Sequence, residues 1–410
     1  MPTRTLISLW PLFFGLALVG LAIGVQGSLL GFRAELEGFR DASIGFLMSA
    51  YYIGFLAGAV LAPKLIISVG HIRTFGAVSA LASITILVHA SFVEPMTWAS
   101  MRFLTGFAFS SIFVVCESWL NQASSNDTRG QILSVYMVIQ LAGTTGGQFM
   151  LNLADPAGFS LFILISVMVS FAAIPILMTS MPTPPKEEAH RVSVAHLWRR
   201  APMGVIGLLL AHWCISVIFG MGAVYGAKLG MNVKEVAWFM AALMAGGMVL
   251  QWPLGKISDR IDRRWVIGAA AIVAAIFSLL ASQEGEATIW LYFCAFVFGG
   301  CCLSQYSLVV ALTHDHLKPA EMVPASGTIV MIAGMAAISG PLMVAFGMQW
   351  WGLGAYFLML AVAMLLLAAV AIWRALTVPA LPPEYKTHST IQATAMPVGS
   401  VIHPEGKETA

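Results

Sequence analysis

Between residues 7 and 376 the sequence returns repeatedly to long apolar runs that are almost free of charge. A helix crosses the hydrocarbon core of a bilayer in about 20 residues. Lipid offers no water to an open backbone N–H or C=O, so each run must close its hydrogen bonds on itself as a helix. The runs fall near 7–32, 43–67, 74–93, 96–120, 130–152, 158–180, 203–226, 235–257, 265–283, 288–312, 324–347 and 352–376. The least distinct pairs are divided by Glu94-Pro95 and by Gln283-Glu284-Gly285-Glu286. The first run is longer than the apolar core of a secretory leader and is followed by others like it, so it reads as a membrane helix. The expected fold is an all-α polytopic membrane protein with twelve transmembrane helices.

Composition agrees. The chain is 59% hydrophobic and 10% charged, whereas soluble domains carry about 25% charged residues. Lipid must therefore supply part of its solvent. The five cysteines, Cys116, Cys214, Cys294, Cys301 and Cys302, all lie inside apolar runs. They form no Cys-x-x-Cys pair and no zinc spacing, and read as small buried apolar residues. There is no His-Glu-x-x-His, no Gly-x-Ser-x-Gly, no paired intramembrane aspartates and no phosphate-binding Gly-Lys-Ser/Thr loop. The expectation is a protein that is not an enzyme and has no cofactor, no metal and no nucleic-acid partner.

Orientation follows from Lys and Arg. With both termini inside, sixteen of the 21 basic residues fall in cytoplasmic segments. Arg33, Arg40, Lys228 and Lys234 fall outside, and Arg102 lies within a span. The bias also favours an even number of crossings.

The stretch 181–201 is polar, proline-rich and basic, and it separates six runs from six. The expected organisation is a six-helix bundle over 1–180, a cytoplasmic linker over 181–201 and a second bundle over 202–376. The tail, 377–410, lacks periodicity and is expected to be disordered. A shift of 192 lays Lys64 on Lys256, Gly76 on Gly268 and Trp98 on Trp290, and a shift of 194 lays Gly146 on Gly340. The two bundles therefore read as pseudo-repeats, an arrangement that places a binding site between them near mid-membrane.

After the eighth run comes Q-W-P-L-G-K-I-S-D-R-I-D-R-R, Gln251 to Arg264. This resembles the signature loop of the major facilitator superfamily, Gly-x-x-x-Asp-Arg-x-Gly-Arg-Arg, with Asp262 at the second glycine. Gly255, Asp259, Arg260, Arg263 and Arg264 carry the resemblance. A glycine lets two helices approach, and an aspartate at a helix end can accept from a neighbouring helix N-terminus or pair with arginines. Such a clasp can hold one conformation and release in another; the plain alternative is a basic loop that only sets topology. The matching loop of the first half, Pro63 to Thr74, keeps Gly70 and Arg73 but has Ile67 and Ser68 at the aspartate and basic positions. R-F-L-T-G-F, Arg102 to Phe107, resembles the arginine-bearing fourth-helix motif of proton-coupled members. L-A-G-T-T-G-G-Q resembles the glycine-rich antiporter motif without its proline, and S-G-P-L, Ser339 to Leu342, has the proline in the second half. V-V-C-E-S-W-L, R-G-Q-I-L, Q-W-P-L-G-K and S-Q-Y-S-L are similar to the YcaD branch of bacterial facilitator proteins. That resemblance implies a monomeric multi-pass protein of the bacterial inner (plasma) membrane. It implies secondary active transport of a small solute by alternating access, with protons as coupling partner.

An ionisable side chain inside a span costs a few kcal/mol on insertion scales, so each needs a reason. Arg102 and Glu117 are the two Asp, Glu, Lys or Arg residues that cannot be moved to a loop, tail or helix end. They lie about four turns apart on one helix, roughly 22 Å, and cannot pair. Arg102 reads as a cavity cation that binds an anionic group or biases a proton site; a guanidinium bonded to backbone is the alternative. Glu117 either joins Arg129 in a structural network or carries a proton. His212, mid-span beside Trp213, can shuttle protons or simply bond a carbonyl. His89 is expected at the interface. Gln26, Gln140, Gln148, Tyr225, Gln305 and Tyr306 add polar groups within spans. Trp10, Trp98, Trp290, Trp350, Trp351 and Trp373 lie near span ends, where an aromatic belt belongs.

With two buried charges and an apolar interior, export of an amphipathic or weakly anionic compound is the expectation, and uptake of a small metabolite is the open alternative. The competing reading is a membrane-embedded sensor or partner-binding protein that kept the fold without transport. The longest cytoplasmic segments, about 21 and 34 residues, leave little room for a sensor domain, given that domains run to about 50 residues or more.

Overall fold

The computed structural model describes residues 9–122, 126–178 and 192–379. Thirteen α-helices occur among them: α1 (Trp10–Leu36), α2 (Asp41–Val69), α3 (His71–Ser91), α4 (Pro95–Gln122), α5 (Asn126–Met150), α6 (Ser160–Leu177), α7 (Val194–Arg200), α8 (Pro202–Lys228), α9 (Val233–Arg260), α10 (Arg263–Ala281), α11 (Ile289–Asp315), α12 (Pro319–Trp351) and α13 (Ala355–Thr377). A short 3₁₀ turn, Leu151–Leu153, follows α5. No strand occurs among the described residues. Each expected crossing falls on one of the twelve long helices. Within the expected linker, α7 forms behind Ser193, whose Oγ accepts from the His196 N–H.

Eleven of the long helices are apolar and long enough to cross a membrane by themselves. The twelfth, α5, has the length, at 25 residues, but its apolar run is diluted by Gln140, Thr144, Thr145 and Gln148. Those groups turn inward. Gln148 Nε2 donates to Gly24 O of α1 at 3.0 Å, and Ser28 Oγ of α1 donates to Gln148 Oε1. The other spans are apolar on both sides, because one face meets protein and the other lipid. Ile84, Phe171 and Leu366 are more than half exposed, an arrangement that water would not tolerate across a whole surface.

The packing repeats. In the first half α2 packs on α4, α1 on α5 and α6, and α3 on α4 and α6. In the second, α9 packs on α11, α8 on α12 and α13, and α10 on α11 and α13. The second set is the first moved along by six spans. Between the halves, α2 meets α12, α5 meets α9, and α1 meets α8. The tightest approaches repeat too. A Cβ on Gly54 would collide with the carbonyl of Phe103, and one on Gly246 with the carbonyl of Phe296. Gly54 and Gly246 stand 192 positions apart, the shift that the sequence repeat requires.

Successive spans alternate in direction. The α2–α3 and α9–α10 loops and α7 therefore lie at one end, the basic end, and the α1–α2 and α8–α9 loops at the opposite end. Trp10, Trp290, Trp350, Trp351 and Trp373 are exposed near helix ends. Trp98 departs from the expected belt. It is fully buried, donates Nε1–H to His89 O at 3.1 Å and packs its ring edge against His89. His89 is likewise buried, with Nδ1 2.7 Å from Thr85 O, and is not interfacial as expected. Position near a span end does not say which way a ring faces.

Candidate functional site

A cavity of about 50 Å³ opens between the halves, walled by α1, α2, α4 and α5 on one side and α8, α9 and α12 on the other. By the volume one water needs, that holds roughly four waters. Its apolar wall includes Phe55, Phe109, Ile215, Phe219 and Met240. Its polar wall includes Gln26, Ser28, Tyr51, Tyr52, Arg102, Thr144, Gln148 and His212.

Arg102 is 4% exposed. Its guanidinium carbon stands 4.3 Å from the centre of the Tyr51 ring, a cation–π contact. Nη2 reaches only the Met48 sulfur, at 3.4 Å, and Nε has no partner. No carboxylate lies within ion-pair distance among the described residues. Among the described residues, Gln26 Nε2 and His212 Nδ1 are also buried without partners. One cavity thus collects three polar side chains with unused hydrogen-bonding capacity. Tyr52, beside them, donates its hydroxyl to Ser216 O at 3.3 Å and so links α2 to α8 across the halves.

Of the six span residues singled out by sequence, Gln26, Arg102 and His212 line this cavity. Tyr306 stands behind the wall, its ring centre 4.8 Å from that of His212 in an edge contact. Gln140 is fully buried at the α1–α5 contact, where its amide donates to Thr144 Oγ1 at 3.4 Å. Glu117 lies toward the basic end of α4, 6% exposed, and its Oε1 accepts from Tyr136 OH of α5 at 2.8 Å. The Arg129 side chain, its expected partner, lies outside the described residues.

At the α9–α10 loop, Arg263 gathers three acceptors. It donates to Asp315 Oδ2 at 2.7 Å, to Asp259 Oδ1 at 2.8 Å and to Ser258 Oγ at 2.8 Å. Asp315 ends α11, so the loop is tied to that helix. Arg264 bonds Asp262 and donates to the carbonyls of Arg374, in the last turn of α13, and of Val378, which caps it. Asp262 caps α10 by accepting from Arg264 N–H, which gives the aspartate at the expected glycine position a local role. Ser258 Oγ donates to Gly255 O, and Arg260 is exposed. In the first half, Gly70 turns the chain between α2 and α3 at φ +89°, a conformation that favours glycine. Arg73 is exposed. The S-G-P-L segment sits where the halves meet: Pro341 packs against Gly220 of α8 and Gly45 of α2.

The model of the Major Facilitator Superfamily matches this chain twice, over residues 12–232 and 205–404. The chain belongs to the Major Facilitator Superfamily. Curated relatives include uncharacterized MFS-type transporters of Yersinia enterocolitica, 26% identical, and of Enterobacter sp. (strain 638), 27% identical. YcaD of Salmonella arizonae, an uncharacterized MFS-type transporter, is 24% identical. Each alignment covers 85% of this chain and 91% of the relative. Among solved structures, a variant of the nucleoside transporter NupG superposes with a TM-score of 0.76 at 14% identity, covering 90% of this chain and all of that one. A bacterial homologue of the human lysosomal transporter Spinster, inward-facing and occupied, superposes at 0.73 and 14% identity, covering 94% and 99%. At such identities these structures share the fold.

For a superfamily member the wall residue that sequence reasoning missed is Tyr51, under the Arg102 guanidinium, with Tyr52 beside it. Two adjacent tyrosines in the middle of a span, far from the belt at either end, were the available signal.

Proposed function

We propose that this protein is a secondary active transporter that moves a small solute through the inner membrane of a bacterium by alternating access, driven by the proton gradient. It works as a monomer, with both termini and the 181–201 segment in the cytoplasm, so that the basic end faces inward. Substrate binds in the cavity between the halves, and export of an amphipathic compound is the direction that its apolar wall favours. The observation that carries this reading is the cavity itself. Both halves wall it, and Arg102, Gln26 and His212 keep unpaired polar atoms there.

Proton coupling is supported by the short supply of titratable groups inside the bilayer. A coupled proton needs such a group; Glu117 bonds Tyr136 where α4 meets α5, and His212 packs against Tyr306 where α8 meets α11. Glu117 and His212 stand on different halves, so a relative movement of the halves alters the surroundings of both.

The test is reconstitution into liposomes loaded with a pH-sensitive dye, screened with anionic, neutral and cationic aromatic solutes. A transported solute should move protons with it, and a protonophore should abolish its accumulation. Transport that ignores the imposed gradient would make the protein a uniporter. Solute binding without any flux would favour the sensor reading. For orientation, Ser193→Cys should be shielded from a membrane-impermeant thiol reagent on intact cells, and Asn232→Cys should react.

A further inference from the structure

We infer that the central cavity is a binding site for a monoanionic aromatic acid, with the carboxylate on Arg102 and Gln26 and the ring among Phe55, Phe109 and Phe219. The inference rests on the transport reading above and names the chemical class of its substrate.

A buried guanidinium without a counter-charge is costly unless a hydrogen-bonded anion joins it. Arg102 is 4% exposed, its Nε is unpaired, and its described contacts are an aromatic face and a thioether sulfur. Neither neutralises it. Gln26 Nε2, 2% exposed at the residue level and also unpaired, adds a second donor on the same wall. Two donor groups, one of them charged, suit the two oxygens of a carboxylate.

The wall also excludes other classes. Among the described residues it holds one guanidinium and no lysine, aspartate or glutamate. A dianion would bring in a second, uncompensated charge. A cationic amine would meet Arg102 with no carboxylate to hold it. A polyol would leave the guanidinium without its counter-ion and would lay hydroxyls against phenylalanine rings. A carboxylate on a flat apolar body matches both parts of the wall. The ring groups favour an aromatic body, because edge and face contacts between rings add to simple area burial. Such a ligand would take the place of the few waters that the cavity can hold.

The experiment uses the purified full-length protein in detergent and three probes that share one ring: phenylacetate, 2-phenylethanol and 2-phenylethylamine. Binding is followed by ligand-observed NMR and by thermal shift. Phenylacetate should bind at least about tenfold more tightly than either analogue. Arg102→Gln should erase that preference while leaving 2-phenylethanol within about twofold, and Arg102→Lys should restore part of it. Gln26→Leu, which keeps the charge, should weaken phenylacetate by several-fold and serves if Arg102→Gln does not fold. Equal binding of acid and alcohol to the parent, or no binding of any probe up to about 10 mM, would overturn the assignment. So would an unchanged preference in both Arg102→Gln and Gln26→Leu. Failure here alongside gradient-driven flux of another solute removes only the substrate class. Charge-selective binding without proton-dependent flux removes only the coupling.

Discussion

Lys228 Nζ lies 2.8 Å from Asp41 Oδ1, and this pair joins the end of α8 to the start of α2 across the two halves. Glu35 of α1 completes the group at 3.1 Å. The three side chains are 19% to 28% exposed, so water screens them and the contribution is about 0.2–1 kcal/mol. That is small for folding but enough to shift a balanced two-state equilibrium by up to about fivefold. The group sits at the end opposite the α9–α10 loop and bridges the two halves there. Lys228→Met should lengthen spin-label distances between Arg40→Cys and Lys234→Cys, and high salt should mimic it in the parent. An unchanged distance distribution would reduce the pair to a passive surface contact.

The repeated glycine contacts predict a paired sensitivity. Gly246→Val and Gly54→Val each drive a side chain into a backbone carbonyl on the adjacent helix, which has no flexible end to yield. Overpacking of this kind costs about 1–3 kcal/mol or more. Both variants should lose several degrees of thermal stability in detergent. Gly285→Ala lies in open space in the α10–α11 loop, and should stay within about 0.5 kcal/mol of the parent. If only one of the two valine variants is destabilised, the halves do not share the contact energetically.

The crossings were legible because a bilayer acts on composition: it demands apolar runs of fixed length. Arg102 and His212 could be picked out for the same reason, since burying them is expensive. Facing was not legible. Trp98 and His89 sit where an interfacial residue would, yet both turn into the α3–α4 contact. Gln140 and Gln148 look alike in sequence, but only Gln148 reaches the cavity wall. Tyr136 is the partner of Glu117 from another helix, nineteen residues on, and no helical spacing announces such a pair. Seven residues make α7, too few to establish a period within a polar linker.

At the start of α12, Glu321 Oε2 accepts from the Lys318 N–H at 3.0 Å, and Oε1 lies 3.1 Å from His196 Nε2 of α7. The Lys318 hydrogen bond first, then the His196 and Arg200 charges, hold this carboxyl below its ordinary value. A depressed carboxylate contributes stability above its unfolded pKa, near about 4.3, and that contribution fades as pH falls through the lower folded value. Hydrogen exchange in the first turn of α12 should therefore quicken as pH is lowered below about 4, after correction for the intrinsic rate. Glu321→Gln should exchange faster at neutral pH and lose that extra acid sensitivity. The carboxyl is part-exposed, so the effect should stay local, and a large drop in global stability would contradict it.

The hydrogen bond from Tyr136 to Glu117 bears directly on coupling. Glu117 is buried where α4 meets α5. If it takes up and releases the driving proton in each cycle, a glutamine there fixes the neutral form. Substrate can then still ride the conformational change, but the gradient can do no work through it. Glu117→Gln should thus retain counterflow exchange at equal pH on both sides while losing gradient-driven accumulation by about tenfold or more, a loss comparable to that of a group acting directly in proton transfer. Tyr136→Phe removes one donor and no charge, so accumulation should persist with a shifted pH profile. His212→Gln separates the alternatives. If it alone uncouples flux from the gradient and Glu117→Gln does not, the proton travels through the cavity histidine, and the Glu117–Tyr136 bond is a structural tie between α4 and α5.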